Sequence, residues 1–229
     1  MIRKTCLTAM AVVSATVSII GGAIQARAEA LISSVSPQVS AGTLGIGPEI
    51  DTRLANLPLG LRLGANFFSF DRNISTSDIT YRGKANLANG GLIADWYPFI
   101  TGFRLSAGLK VNGNEATVTA IPATGGTVTV NHQTYSAAGS SLAGKIGFDT
   151  FAPYAGVGFA GQIFGGPTLG FDLGAMFHGT PKATLNASGP ITTVPGFAAN
   201  LAQEQQNLED KVRDFWVYPV VDISLGWRF

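Results

Sequence analysis

The final stretch of the chain, VDISLGWRF, alternates without a break. Val221, Ile223, Leu225, Trp227 and Phe229 fall on one parity, and Asp222, Ser224, Gly226 and Arg228 on the other. A period of two marks a strand with one apolar face. The pattern recurs upstream. PLGLRLGANFF sets Leu59, Leu61, Leu63, Ala65 and Phe67 against Gly60, Arg62, Gly64 and Asn66. GFRLSAGLKVN sets Phe103, Leu105, Ala107, Leu109 and Val111 against Arg104, Ser106, Gly108, Lys110 and Asn112. TLGFDLGAMFHG repeats it with Leu169, Phe171, Leu173, Ala175 and Phe177. Each strand pairs a bulky apolar face with a face that mixes glycine and charge. Such strands suit a closed sheet with lipid outside and a polar lumen within.

Composition narrows the choice. Charged residues are 13% of the chain, against roughly 25% in ordinary globular proteins. The first 28 residues have a basic start at Arg3 and Lys4, an apolar stretch, and a small-x-small site at Ala26-Arg27-Ala28. They read as a cleaved secretory signal peptide, leaving a single barrel domain over 29–229. Cys6 leaves with the signal, so no thiol chemistry is expected. Basic and acidic residues nearly balance, which excludes a nucleic-acid footprint.

Four weaker strands near 33–42, 44–54, 80–96 and 145–160, with a tight turn at Gly42-Thr43, bring the count to eight. The even number fits a transmembrane antiparallel up-and-down eight-stranded β-barrel, an all-β fold. Both termini are then periplasmic, with short turns near 55–58, 97–102 and 162–167. Longer extracellular loops fall near 71–79, 119–144 and 188–215. In the second, the Thr/Val alternation around Gly125-Gly126 predicts a β-hairpin. In the third, the stretch from Phe197 to Asp210 predicts a short helix. Trp96, Tyr97, Phe99, Trp216 and Tyr218 are placed at the membrane–water interfaces.

The stretches LAGKIGFDTFAPYAGVGFAG, HGTPKATLNASG, LIADWYPF and VYPVVDISLGWRF resemble those of CarO-like small Gram-negative outer-membrane barrels. The likeness runs from about Ser40 to Phe229. It implies a monomeric eight-stranded barrel among outer-membrane lipid and lipopolysaccharide, and uptake of small solutes such as basic amino acids. The row Val221, Ile223, Leu225, Trp227, Phe229 resembles the signal read by the outer-membrane assembly machinery.

The lumen charges are the candidate site: Glu49, Arg62, Asp95, Arg104, Lys110, Asp172, Asp222 and Arg228. A turn centred between Ala55 and Asn56 sets Glu49 opposite Arg62. One centred between Phe99 and Ile100 sets Asp95 opposite Arg104. Asp172, Asp222, Lys110 and Arg228 have no evident partner and would line any solute path. Opposed acid–base pairs also describe a plug, since eight strands enclose little more than their own side chains.

Catalysis and cofactors are not expected. His178 and His132 are far apart, no serine lies near His178, and nothing has metal-ligand spacing. Two readings therefore remain: a narrow, loop-gated path for small solutes, or a plugged barrel acting through its outer loops.

Overall fold

The computed structural model describes residues 31–76, 79–99 and 101–229. The expected signal peptide lies outside them. Thirteen strands form: β1 (Ile32–Gly42), β2 (Gly45–Leu54), β3 (Leu59–Ser75), β4 (Ile79–Trp96), β5 (Phe103–Asn112), β6 (Glu115–Pro122), β7 (Thr127–Val130), β8 (Gln133–Ser136), β9 (Ser141–Gly147), β10 (Phe151–Gln162), β11 (Pro167–Phe177), β12 (Lys182–Ser188) and β13 (Val217–Trp227). Among the described residues one helix, α1 (Phe197–Val212), follows a 3-10 turn at Pro190–Thr193.

Eight of these strands close the barrel in the order β1-β2-β3-β4-β5-β10-β11-β13, with β13 returning to β1. All the pairings are antiparallel. Closure leaves no unpaired edge along the wall, which is the condition for crossing lipid with strands. Alternation then sorts the side chains. Leu63, Leu92, Phe159, Ile223 and Leu225 project outward and exposed, while Arg62, Asp95, Arg104 and Asp172 are buried inside. An apolar belt on the outside of a closed sheet is stable only against lipid.

Beyond the barrel, β3 and β4 stay paired without a slip from Leu59↔Trp96 to Ser75↔Thr80. One edge of β4 is shared. Its lower part pairs with β5 as far as Asn89↔Asn112, and its upper part pairs with β6 from Asn86↔Glu115. Asn114 clasps the fork, its Oδ1 accepting from the Ala88 amide (3.2 Å) and from Asn89 Nδ2 (2.8 Å). β9 and β12 extend this outer sheet.

Because no bulge intervenes in β3–β4, the parity that faces the lumen below carries Phe68, Phe70, Ile74, Tyr81 and Leu87 above. Val118, Leu142 and Leu185 share that face by register. The helix and the β7–β8 hairpin cover part of it, through a core of Val128, Val130, Tyr135, Ile191 and Phe197 packed on Ile79, Leu142 and Leu201.

Several expectations are corrected. The segment read as one strand at 145–160 is divided, since β9 belongs to the outer sheet and only β10 to the wall. The strands continue through most of the loop expected at 71–79. The hairpin expected around Gly125-Gly126 turns instead at Asn131-His132, where φ is 47° and 64°. Asparagine tolerates that left-handed geometry, and two such residues fit a two-residue hairpin turn. The first hairpin turns at Thr43-Leu44, since Gly42 pairs with Gly45.

Candidate functional site

Register places the lumen charges. Arg62 lies opposite Asp51, not Glu49, and Asp95 lies opposite Ser106, not Arg104. Both expected pairings are therefore slipped by two residues. Asn56, at φ 62°, and Gly102, at φ 88°, shift each turn centre by one residue, which moves the pairing by two. An even slip keeps every side chain on its own face, so the lumen inventory survives while its partners change.

The partners are made both to a neighbouring strand and across the barrel. Arg62 donates from Nε to Asp95 Oδ2 (2.6 Å) and from Nη1 to Asp172 Oδ2 (3.0 Å). Arg104 donates to both oxygens of Asp172, at 3.1 and 2.6 Å, and from Nη1 to Asp51 Oδ2 at 3.3 Å. Ser106 Oγ donates to Asp95 Oδ1 at 2.5 Å. Asp172, expected to be unpartnered, holds both guanidiniums. Glu49 stands 3.7 Å from Arg62 and instead accepts from Gln38 Nε2 at 2.6 Å. Arg104 and Asp95 are fully buried, each at 0% exposure. Two bidentate guanidiniums locked to carboxylates in a buried centre form a rigid cross-brace, because each charge left unpaired there would carry its full desolvation cost.

Glycine makes the brace possible. Arg104, Gly158 and Asp172 lie in one register row on three successive strands. With no side chain at Gly158, the guanidinium of Arg104 crosses to Asp172. A Cβ there would collide with Asp172 Oδ1 and lie 2.8 Å from Phe171 O. Gly174 likewise yields its space to the Tyr154 ring.

Toward the outer sheet, a second layer lies above the brace. Leu44, in the first hairpin turn, folds into the barrel at 3% exposure and packs with Ile93, Tyr154, Met176 and Val220. Beneath it a cavity of about 20 Å³ is lined by Glu49, Lys110, Asp172 and Asp222 among others, room for about one water molecule. The Lys110 ammonium lies 5.3 Å from the centre of the Tyr154 ring. At the opposite end, Arg228 Nε reaches Ser36 Oγ at 3.4 Å. Tyr97, expected in an interfacial girdle, is buried inside with Arg53 stacked 3.5 Å over its ring.

Sequence reasoning missed Asp51, Gln38 and Leu44, and placed Ser106 on the inward face without its role beside Asp95. Asp51 shares strand parity with Glu49, which was signal enough. Leu44 carried no signal, because only tertiary packing turns a turn residue inward. His178 is wedged against Phe148 (4.4 Å between ring centres) and Tyr218, and its Nδ1 lies 3.1 Å from Gly179 O. His132 occupies the β7–β8 turn. Among the described residues, no group of side chains suits a metal ion.

A closed sheet with a lipid-facing exterior and a salt-bridged interior defines a membrane-spanning β-barrel with a filled lumen. Among solved structures, the chain is similar to CarO2 of Acinetobacter baumannii, at 22% identity and a TM-score of 0.58, over 86% of this chain and 99% of that one. It is also similar to CarO of the same organism, at 23% identity and a TM-score of 0.55, over 85% and 97%. These likenesses establish a common fold. No protein-family model matches the sequence, and no curated protein does.

Proposed function

We propose that this chain is an integral outer-membrane barrel whose interior is closed at rest and whose working surface is the elaborated end. The cross-brace carries the reading: Arg62 and Arg104 bridge to Asp95 and Asp172 through the centre of the lumen. Eight strands enclose little more than the volume of their own side chains, so a braced centre leaves no standing pore. The likeness in fold to CarO and the lipid-facing belt support the outer membrane as its location. Short turns at one end, with both termini, are assigned to the periplasm, and the outer sheet and α1 to the cell surface among lipopolysaccharide. The barrel acts as a monomer, and we assign it no catalysis.

A second reading has its own observation. Glu49, Asp172 and Asp222 line one small cavity below Leu44, an arrangement that would attract a cationic solute once Leu44 and the brace move. Passive low-flux uptake of small solutes, basic amino acids included, follows from it.

Planar-bilayer recording with purified protein and uptake of ornithine or arginine into proteoliposomes separate the two. The closed reading expects no steady conductance and no uptake above empty vesicles. Uptake that disappears in Asp172→Asn/Asp222→Asn would establish the solute path instead.

A further inference from the structure

The outer sheet and α1 flank a half-open cavity that belongs to neither the lumen nor the lipid belt. It measures about 280 Å³, close to the lower bound for small-molecule pockets. Val118, Leu142 and Leu185 line it from the sheet, and Leu201 and Leu208 from the helix. The cap's own core, around Tyr135, Ile191 and Phe197, packs beside this space without filling it.

Three residues break the apolar lining, Thr129, Asn186 and Glu204, and of these only Glu204 carries charge. Glu204 lies three residues after Leu201 and four before Leu208, within the helix stripe turned toward the sheet. Glu204 is half-buried there, beside the leucines and at the edge of solvent. Its Oε2 accepts from the Asn131 amide at 3.0 Å. Glu204 also lines an adjoining polar cleft of about 570 Å³, together with Thr129, Asn131, Asp210 and Lys211. Apolar pocket and polar cleft therefore meet at Glu204 and Thr129.

We propose that these joined cavities bind a small amphiphile, its aliphatic chain between α1 and the outer sheet and its cationic, donor-bearing head at Glu204. The pocket's lining is mostly apolar and suits an aliphatic chain. At the junction, Glu204 repels an anionic head and gives an ammonium both a charge partner and an acceptor. Lys211 borders only the polar cleft and does not reach the apolar pocket. The proposal rests on the reading that the elaborated end is the working surface, and names the ligand class that surface would take.

Methyl NMR of the full chain in lipid nanodiscs tests it, with octylammonium, octanol and octanoate as probes. Saturable shifts are expected at Val118, Leu142, Leu185 and Leu201. Octylammonium should bind about three- to fivefold more tightly than octanol, the scale of a partly exposed ion pair, and octanoate least. Glu204→Gln should remove the advantage of the ammonium and leave octanol unchanged. Leu185→Trp should abolish all three, with the methyl signals of Val128 and Ile191 in the cap core unaltered to show that the cap stays folded. Equal shifts at lipid-facing Leu63 and Leu109 would mean partitioning into the bilayer and overturn the site, as would a preference for octanoate. A silent cavity on a non-conducting barrel overturns the ligand site alone. Saturable binding on a conducting barrel overturns the closed-lumen reading and leaves the site standing.

Discussion

Asp172 and Asp222 lie directly opposite one another on β11 and β13, two carboxylates on the same inward face. Like charges in that relationship repel. They differ in what answers them. Asp172 receives two guanidiniums, whereas Asp222 faces the small cavity that it shares with Lys110 and Glu49. Neutralising each acid should therefore act with opposite sign. Asp172→Asn should destabilise the barrel by about 3–5 kcal/mol, since it takes the bidentate partner from buried Arg104 and a second carboxylate from Arg62. Asp222→Asn should stabilise it by about 0.2–1 kcal/mol through lost repulsion. Urea unfolding in liposomes, followed by tryptophan fluorescence, measures both, and shifts of the same sign would refute the asymmetry.

Coupling energies should follow hydrogen-bond contact, since Asp95 and Glu49 both lie on strands next to that of Arg62. A double-mutant cycle on Arg62→Met and Asp95→Asn should return a coupling of about 2 kcal/mol or more, for a hydrogen-bonded buried pair at 2.6 Å. The cycle on Arg62→Met and Glu49→Gln should return less than half of that, because the closest approach is 3.7 Å and Glu49 is held by Gln38. Equal couplings would mean that the brace is distributed otherwise.

Gly158→Ala should be disproportionately harmful for one methyl group. The added carbon would occupy the crossing between Arg104 and Asp172. A loss of about 1–3 kcal/mol is expected, as for other overpacked sites. The neighbouring outward change Val157→Ala should cost less, since its side chain meets lipid. Thermal unfolding by heat-modifiable gel migration ranks the two.

Leu44→Ala should cost about 2–5 kcal/mol as a buried large-to-small change, yet leave the barrel non-conducting. The lid is one layer and the brace beneath it is another. Combining it with Arg62→Ala and Arg104→Ala should yield measurable single-channel openings in planar bilayers. Openings with Leu44→Ala alone would place the seal in the first hairpin turn.

Removing Phe229 should impair membrane assembly and leave export intact. Its amide donates to Val35 O at 2.9 Å, and its carbonyl accepts from the Val35 amide at 3.1 Å. The residue thus closes the last step of the β13–β1 seam. Fractionation with heat-modifiability reads the outcome, and normal outer-membrane levels of folded protein would remove the assembly role.

The barrel was legible from alternation, because a strand's period of two is a local property and lipid reverses which face is apolar. Leu59 to Phe67, Phe103 to Val111 and Val221 to Phe229 announced both strand and orientation. The short helix was legible too, from a polar stretch with leucines at helical spacing. Lumen membership followed from the same parity, so Arg62, Asp95, Arg104 and Asp172 were assigned inward correctly while their partners were not. Partner choice depends on turn centres, and Asn56 and Gly102 each moved one by a single residue. Alternation does not register an even slip.

Only the tertiary structure decided the brace and the cap. An arginine side chain reaches past its own register neighbour, and Gly158 opens the way from Arg104 to Asp172, two strands apart. Strand alternation in β3 likewise does not say where lipid ends. The wall gives way to an outer sheet at the fork of β4, held by Asn114, and there the inward parity changes from polar to apolar. Local patterning fixed the faces of each strand; closure of the chain on itself fixed what those faces meet.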